Sequence, residues 1–179
     1  MVSGVADRNG IEPQSSNTEG RARKIQKKNQ QKTADKNDAR ANSKIDSQNA
    51  PEPVGAYPHA RRQGDFLFLS GVGPRKRGTP EIPGIEFDSE GNVVSYDIET
   101  ETKSVIENVK TILQDSGACL EDVVDVQVFL TNMKKDFSKF NQVYADVFGP
   151  IGATRTTVEV NALPTPIHVE FKVIAQLNQ

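Results

Sequence analysis

The stretch that decides the fold is Thr154-Arg-Thr-Thr-Val-Glu-Val-Asn-Ala-Leu-Pro-Thr-Pro-Ile-His-Val-Glu-Phe-Lys-Val-Ile-Ala175. Two runs of strand-like composition, around 155–161 and 167–175, flank a Leu-Pro-x-Pro turn. Among the charged residues of these runs, Arg155 in the first and Glu170 in the second are ones that an ordinary sheet interior excludes. We therefore predict two strands that each present one charged side chain for binding or ion pairing.

The chemistry of these two side chains permits a hydrolytic site. Arg155 is a fixed cation with a planar donor fork that suits a carboxylate. A carboxylate on a neighbouring strand, here Glu170, can activate a water molecule. The alternative is a cross-strand ion pair, which contributes only about 0–1 kcal/mol when it is exposed. Spacing alone leaves both interpretations open.

Composition divides the chain into two parts. The 179 residues carry a net charge of -2, but residues 1–50 hold ten Lys/Arg and six Asp/Glu, whereas the remainder has a net charge of -6. The first fifty residues contain no Phe, Tyr, Trp or Leu. Such a segment buries too little apolar surface to offset its ordering entropy. We predict a disordered basic polar tail over residues 1–49 and one domain over residues 50–179.

Several functional classes are disfavoured by the sequence. The densest basic stretch, Arg21-Ala-Arg-Lys-Ile-Gln-Lys-Lys28, has no interleaved aromatic residue, so nucleic-acid binding is not expected. No apolar run is long enough for a membrane span and no secretory signal is evident, which favours the cytoplasm. The single Cys119 excludes an intramolecular disulfide. The only histidines, His59 and His168, lack acidic residues at metal-ligand spacing, so no metal is expected. His168 shares strand parity with Glu170, which would place both on one pocket.

The order of predicted elements indicates the fold class. Apolar positions in steps of three and four predict a helix from Asp97 to about Ser116, stopped by Gly117, and a second helix opening at Asp136. Alternating or apolar runs predict strands at 66–70, 92–96 and 124–131 and in the C-terminal stretch. The predicted order along the chain is strands, helix, strand, helix, strands. This order predicts an α+β fold, with one mixed sheet and two helices on one face.

Motifs spread along the domain carry a family resemblance. They are Pro53-Val-Gly-Ala-Tyr-Pro-His59, Phe66-Leu-Phe-Leu-Ser-Gly71, Asn108-Val-Lys110, Val126-Gln-Val-Phe-Leu130, Phe140-Asn-Gln-Val-Tyr144, Arg155-Thr-Thr-Val-Glu-Val160 and Val169-Glu-Phe171. In this order and spacing, residues 51–177 resemble the RidA/YjgF/UK114 family of enamine/imine deaminases. Within the family, Ser70-Gly-Val-Gly-Pro-Arg-Lys-Arg-Gly78 and Glu81-Ile-Pro-Gly84 are most similar to 2-aminomuconate deaminase.

The resemblance implies a chorismate-mutase-like fold without a cofactor, and a homotrimer with active sites between subunits. It assigns carboxylate binding to Arg155 and the hydrolytic water to Glu170. Four further residues are assigned to the substrate pocket: Tyr57 at its mouth, Ser70 and Gly71 in the loop after the apolar strand, and Asn141.

Two local features lie outside these shared assignments. Many relatives carry a cysteine two residues after the arginine, and this chain has Thr157 there, so thiol reactivity does not transfer. The loop Arg75-Lys76-Arg77 is either solvated or contacts a second substrate carboxylate, and we assign Arg75 as the candidate contact.

These assignments predict a deaminase that converts an unsaturated 2-amino dicarboxylate, similar to 2-aminomuconate, to the 2-oxo acid (4-oxalocrotonate-like) and ammonia. The alternatives are a broad-specificity 2-imino acid deaminase that removes reactive metabolites, and a non-enzymatic trimer that senses ligands or acts like a chaperone. The presence of both Arg155 and Glu170 favours the enzyme.

Overall fold

The computed structural model describes residue 4, residues 23–27 and residues 43–177. Within residues 43–177 the strands are β1 (Lys44–Ile45), β2 (Ala60–Gln63), β3 (Phe66–Leu69), β4 (Ile85–Phe87), β5 (Val93–Tyr96), β6 (Val123–Leu130), β7 (Thr154–Glu159) and β8 (Val169–Gln176). The helices are α1 (Ile98–Asp115) and α2 (Met133–Phe148), and a short 3-10 turn, Leu120–Asp122, precedes β6.

Six of the strands form one mixed sheet. Its order is β1-β2-β3-β8-β6-β7, while β4 and β5 form a separate hairpin. The β6–β7 pair is parallel and all other pairs are antiparallel. Because parallel neighbours need a crossover, α2 connects β6 to β7 and packs on the sheet beside α1. The α+β fold with both helices on one face is therefore confirmed.

Helix α1 follows its sequence signals closely. The Asp97 side chain accepts a hydrogen bond from the Thr100 N–H, as expected of an N-cap. Gly117 has a φ of 80°, a left-handed conformation that glycine adopts without strain, and the chain turns away there. All six predicted apolar positions are buried: Ile98, Val105, Ile106, Val109, Ile112 and Leu113.

Helix α2 begins earlier than predicted. Its N-cap is Asn132, whose side chain accepts from the Lys135 N–H, and the first helical residue is Met133. The predicted start, Asp136, lies inside the helix, where its buried carboxylate accepts a hydrogen bond from the Tyr96 hydroxyl at 3.0 Å. Neither α1, α2 nor the described helical residues 23–27 are long and apolar enough to cross a membrane.

Residues 43–49, which the sequence assigned to the tail, belong to the sheet unit. Strand β1 pairs with β2, and the side chains of Ser47 and Asn49 both donate hydrogen bonds to the Asp115 carboxylate, which lower its pKa. Backbone pairing and polar contacts of this kind leave no trace in hydrophobic composition, which explains the late boundary at residue 50. The rest of the predicted tail lies outside the described residues, apart from residue 4 and the exposed helical residues 23–27.

Candidate functional site

Arg155 and Glu170 lie on opposite faces of the sheet. The sequence suggested neighbouring strands, but β6 separates β7 from β8. Val126 of β6 pairs with Arg155, whereas Phe129 pairs with Glu170. Since side chains alternate along a strand, Arg155 shares the helix-covered face with buried Val126, and Glu170 shares the other face with Phe129. Two strand spacings and three residues of offset separate their Cα atoms by roughly 14 Å. No ion pair between them forms within one chain.

The Arg155 guanidinium is held by α2. Its Nη1 donates to the Asn141 Oδ1 at 2.9 Å. Its carbon Cζ lies 4.5 Å from the ring centroid of Tyr144 and 5.5 Å from that of Phe140, within the range of a cation–π contact. These contacts fix the plane of the guanidinium while occupying only part of its five-donor fork. Arg155 and Asn141, predicted to share a site, are therefore in direct contact.

Two buried hydroxyl groups on this side of the sheet, those of Tyr144 and Thr157, have no hydrogen-bond partner among the residues that the structure describes. Burial raises the pKa of the Tyr144 phenol above its usual range, which keeps it protonated. Thr157 follows Arg155 by two residues along β7, so both point to the same face. Unsatisfied buried hydroxyls are rare and are expected where a ligand or water completes the bonding.

The Glu170 carboxylate lies on the other face, against the backbone of Gly71. A Cβ atom on Gly71 would clash with the Glu170 Oε1, so a larger residue there would force the carboxylate to move from its present position. Among the described residues Glu170 has neither a hydrogen-bond donor nor a cation partner, and desolvation raises its pKa. Lys172, the suggested structural partner, donates instead to the Leu69 carbonyl at 2.7 Å.

Four predicted pocket residues line one cleft between α1 and the loop after β1: Tyr57, Ser70, Gly71 and Arg75. The Ser70 hydroxyl donates to the Pro58 carbonyl at 2.7 Å, and the Tyr57 ring is 42% exposed at the rim. Glu170 adjoins this group through Gly71. The seven predicted residues thus form two groups, Arg155 with Asn141 and Glu170 with the cleft.

His168 does not share a pocket with Glu170. It precedes β8, where strand alternation does not apply, and its Nδ1 lies 2.8 Å from the Oε1 of Glu101 on α1. Its backbone N–H donates to the other oxygen of Glu101, and the Tyr96 ring stacks on its imidazole at 3.5 Å. Sequence reasoning missed the fully buried Glu101, although an acid within the apolar stripe of α1 was a signal.

Within the described ranges there is no group of three or more His, Cys, Asp or Glu side chains that could hold a metal ion.

Comparison with known proteins identifies the family. The family model described as Endoribonuclease L-PSP matches residues 47–177, and the chain belongs to this family. A RutC family protein of Pyrococcus horikoshii is 40% identical over 131 residues, which cover 73% of this chain and 94% of that protein. The chloroplastic Reactive Intermediate Deaminase A of Arabidopsis thaliana is 32% identical over 133 residues, or 74% of this chain and 65% of that protein.

Solved structures agree with the family assignment. TdcF of E. coli, solved with bound serine, has a TM-score of 0.64 at 30% identity and covers 76% of this chain and 99% of its own. YyfA of Yersinia pestis, from the conserved Rid protein family, has a TM-score of 0.63 at 35% identity and covers 76% and 100%. The resemblance to the RidA family is confirmed at this level, and the finer similarity to 2-aminomuconate deaminase stays a prediction.

Proposed function

We propose that this protein is a deaminase that hydrolyses the imine tautomer of a small 2-amino-unsaturated acid to the 2-oxo acid and ammonia. The observation that carries the proposal is the state of Glu170. It is a partly buried carboxylate without a partner among the described residues, and desolvation raises its pKa. A carboxylate in this environment is suited to accept a proton near neutral pH. The competing explanation, a structural ion pair, requires a cation beside Glu170, and none of the described residues provides one.

The reaction needs two tasks from the protein. Arg155 donates two parallel hydrogen bonds to the carboxylate beside the imine carbon and so orients that carbon. Glu170 accepts a proton from water as the water oxygen bonds to the imine carbon. In the carbinolamine that forms, nitrogen has received the proton that Glu170 took from water. The carbinolamine then collapses: the hydroxyl proton passes to nitrogen, the C–N bond breaks, and a ketone and ammonia are released. Positioning and a prearranged charge supply most of the rate gain.

We further propose that a second copy of the chain completes the site. Arg155 and Glu170 project from opposite faces, so one protomer supplies the carboxylate-binding half and its neighbour the water-activating half. The Glu170 face also carries exposed apolar side chains, including Phe68 and Val158, that are suited to an interface. Head-to-tail contacts of this kind close into a ring, and the family resemblance suggests three copies.

Mixing inactive chains tests the composite site. An Arg155→Met chain and a Glu170→Gln chain, carrying different affinity tags, are co-expressed and the mixed oligomers purified. In a purified mixed ring of three, one site of the three takes Arg155 from the Glu170→Gln chain and Glu170 from the Arg155→Met chain, and so is intact. About a third of wild-type activity is therefore expected. Activity no higher than that of either parent would contradict the composite site, and sedimentation of the wild-type chain checks the three-protomer mass.

The finer proposal concerns the substrate. The resemblance of 70–78 and 81–84 to 2-aminomuconate deaminase favours a 2-aminomuconate-like dicarboxylate, and the broad-specificity alternative predicts equal activity on imines of simple amino acids. Ammonia release is measured from freshly generated 2-aminomuconate and from 2-imino acids made by oxidation of alanine and leucine. Glu170→Gln serves as the control for release without enzyme. Ligand binding without accelerated ammonia release from any of these substrates would overturn the deaminase and favour a binding protein.

A further inference from the structure

The loop after β3 carries three consecutive cations, and two of them have an acidic partner among the described residues. The Lys76 Nζ lies 2.8 Å from a carboxylate oxygen of Glu81, and the Arg77 Nη1 lies 3.0 Å from one of Glu52. Arg75 has no carboxylate within ion-pair distance in the described part of the chain, and it is the one cation of the three that lines the cleft.

Helix α1 fixes the backbone on which Arg75 is carried. The Asn108 side-chain amide donates to the carbonyls of Gly73 and Arg75 at 2.9 and 2.8 Å, and the Ser104 hydroxyl donates to the Pro74 carbonyl at 2.7 Å. These three bonds clamp residues 73–75 against the helix. The cation therefore stands on a rigid support and does not swing with a free loop.

The Arg75 side chain is also tethered, but most of its donors remain available. Its Nη2 donates to the Glu52 carbonyl oxygen at 2.6 Å. A guanidinium has five N–H donors, and a neutral carbonyl leaves its charge uncompensated. The geometry resembles that of Arg155, which one amide oxygen holds while part of its fork is left for a ligand.

Among the described residues that line the cleft, Arg75 is the one fixed charge. The described lining includes no carboxylate, and its other titratable side chains are those of Tyr57 and His59. The Nδ1 of His59 accepts a hydrogen bond from the Ser47 N–H at 3.1 Å, which an imidazolium cannot do, and its Nε2 lies 2.9 Å from the Pro51 carbonyl oxygen. Both ring nitrogens of His59 are therefore engaged by backbone groups, and Arg75 is the described lining residue left to meet an acidic ligand.

We infer that Arg75 binds a second acidic group of the substrate, at the end remote from the reacting carbon, and that the site thereby selects dicarboxylates over monocarboxylates. This inference rests on the proposed function for the first carboxylate, which Arg155 holds. Gly71 lines the cleft and also lies against the Glu170 carboxylate, so the cleft and the water-activating group share this loop residue. A carboxylate gripped by a guanidinium fork there favours the dicarboxylate by about 10- to 100-fold in affinity.

The test uses two inert probes that differ only in the second acid, 2,4-hexadienedioate and 2,4-hexadienoate. Their dissociation constants are measured by titration calorimetry on the full-length protein. The wild type is expected to bind the dicarboxylate about 10- to 100-fold more tightly, and Arg75→Met to lose that preference while its affinity for the monocarboxylate stays within about twofold. The matched control is Lys76→Met, which removes the same charge one residue away and is expected to retain the preference.

Two results overturn the inference: equal affinities of the wild type for both probes, or an Arg75→Met variant with wild-type melting temperature that still prefers the dicarboxylate. If Arg75→Met does not fold, Arg75→Lys replaces it, and an undiminished preference in that variant counts against the fork. Because binding and not turnover is measured, the outcome is separable from the proposed function. If the protein prefers the dicarboxylate but releases no ammonia, the deaminase proposal fails and the Arg75 inference stands. If it releases ammonia but shows no preference for the dicarboxylate, only the Arg75 inference fails.

Discussion

Replacing Arg155 with lysine probes the carboxylate-binding half of the site. The Asn141 amide oxygen occupies one N–H of the guanidinium at 2.9 Å, and the Tyr144 ring covers its plane at 4.5 Å. Asn141 thus occupies one N–H group of the guanidinium, and the remaining N–H groups are available to donate two hydrogen bonds to a carboxylate. Lysine keeps the charge, but a single ammonium group does not reproduce the planar fork that serves Asn141 and a carboxylate together.

The expected effects on catalysis and on folding differ in size. Loss of a charge-assisted pair of hydrogen bonds costs about 2–4 kcal/mol of transition-state binding. This corresponds to a roughly 30- to 1000-fold fall in kcat/KM, since about 1.4 kcal/mol is tenfold. The fold loses one hydrogen bond to Asn141 and part of a cation–π contact, about 1–3 kcal/mol. For a domain of this size the melting temperature should fall by roughly 2–10 °C, which leaves the variant folded.

Steady-state kinetics of ammonia release from a carboxylated imine measure the first effect, and differential scanning calorimetry measures the second. Arg77→Lys is the matched control, because that arginine is already paired with Glu52 and should tolerate the change within about twofold. If folded Arg155→Lys retains kcat/KM within about threefold of the wild type, Arg155 is a structural partner of α2 and the carboxylate assignment fails.

Four further predictions test the other half of the site and the boundary of the domain. Glu170→Gln should lower kcat by about 100- to 10,000-fold with little change in KM, because the shape stays and the proton acceptor is lost. Because burial raises the pKa of Glu170, its ionised form destabilises the fold. Glu170→Gln should therefore have a higher melting temperature than the wild type at pH 8, and this difference should vanish as the pH falls below the ordinary pKa of glutamate. A difference in melting temperature that does not depend on pH would contradict this. Gly71→Ala places a methyl group where it clashes with the Glu170 Oε1 and should lower kcat/KM by at least roughly tenfold through displacement of the carboxylate, whereas unchanged kinetics would show that the position of the carboxylate is unimportant. Deleting residues 1–42 should leave the melting temperature and kcat unchanged. Deleting residues 1–49 removes β1 and the hydrogen bonds to Asp115, so it should lower the melting temperature, as measured by scanning fluorimetry. Equal effects of the two deletions would refute the earlier start of the domain.

Local patterns in the sequence were enough to predict much of the fold. The cap at Asp97, the stop at Gly117 and the apolar stripe between them are short-range signals, because a helix is stabilised by contacts within one or two turns. The start of α2 was misplaced, because Asn132 and Asp136 are both good caps and only packing decides between them. The late domain boundary has a similar cause, since residues 43–49 join the sheet through backbone and polar contacts.

The sequence by itself determined the fold class, the two helices and the family to which the chain belongs, because periodicity, capping and motif order are properties of neighbouring residues. Only the tertiary structure decided that β6 separates β7 from β8 and that Arg155 and Glu170 face opposite sides of the sheet. It also decided that Lys76 and Arg77 pair with Glu81 and Glu52, and that neither Arg75 nor Glu170 has an ion-pair partner among the described residues. Strand order and charge pairing arise from contacts between residues far apart in sequence, and a one-residue change of register reverses the face on which a side chain lies.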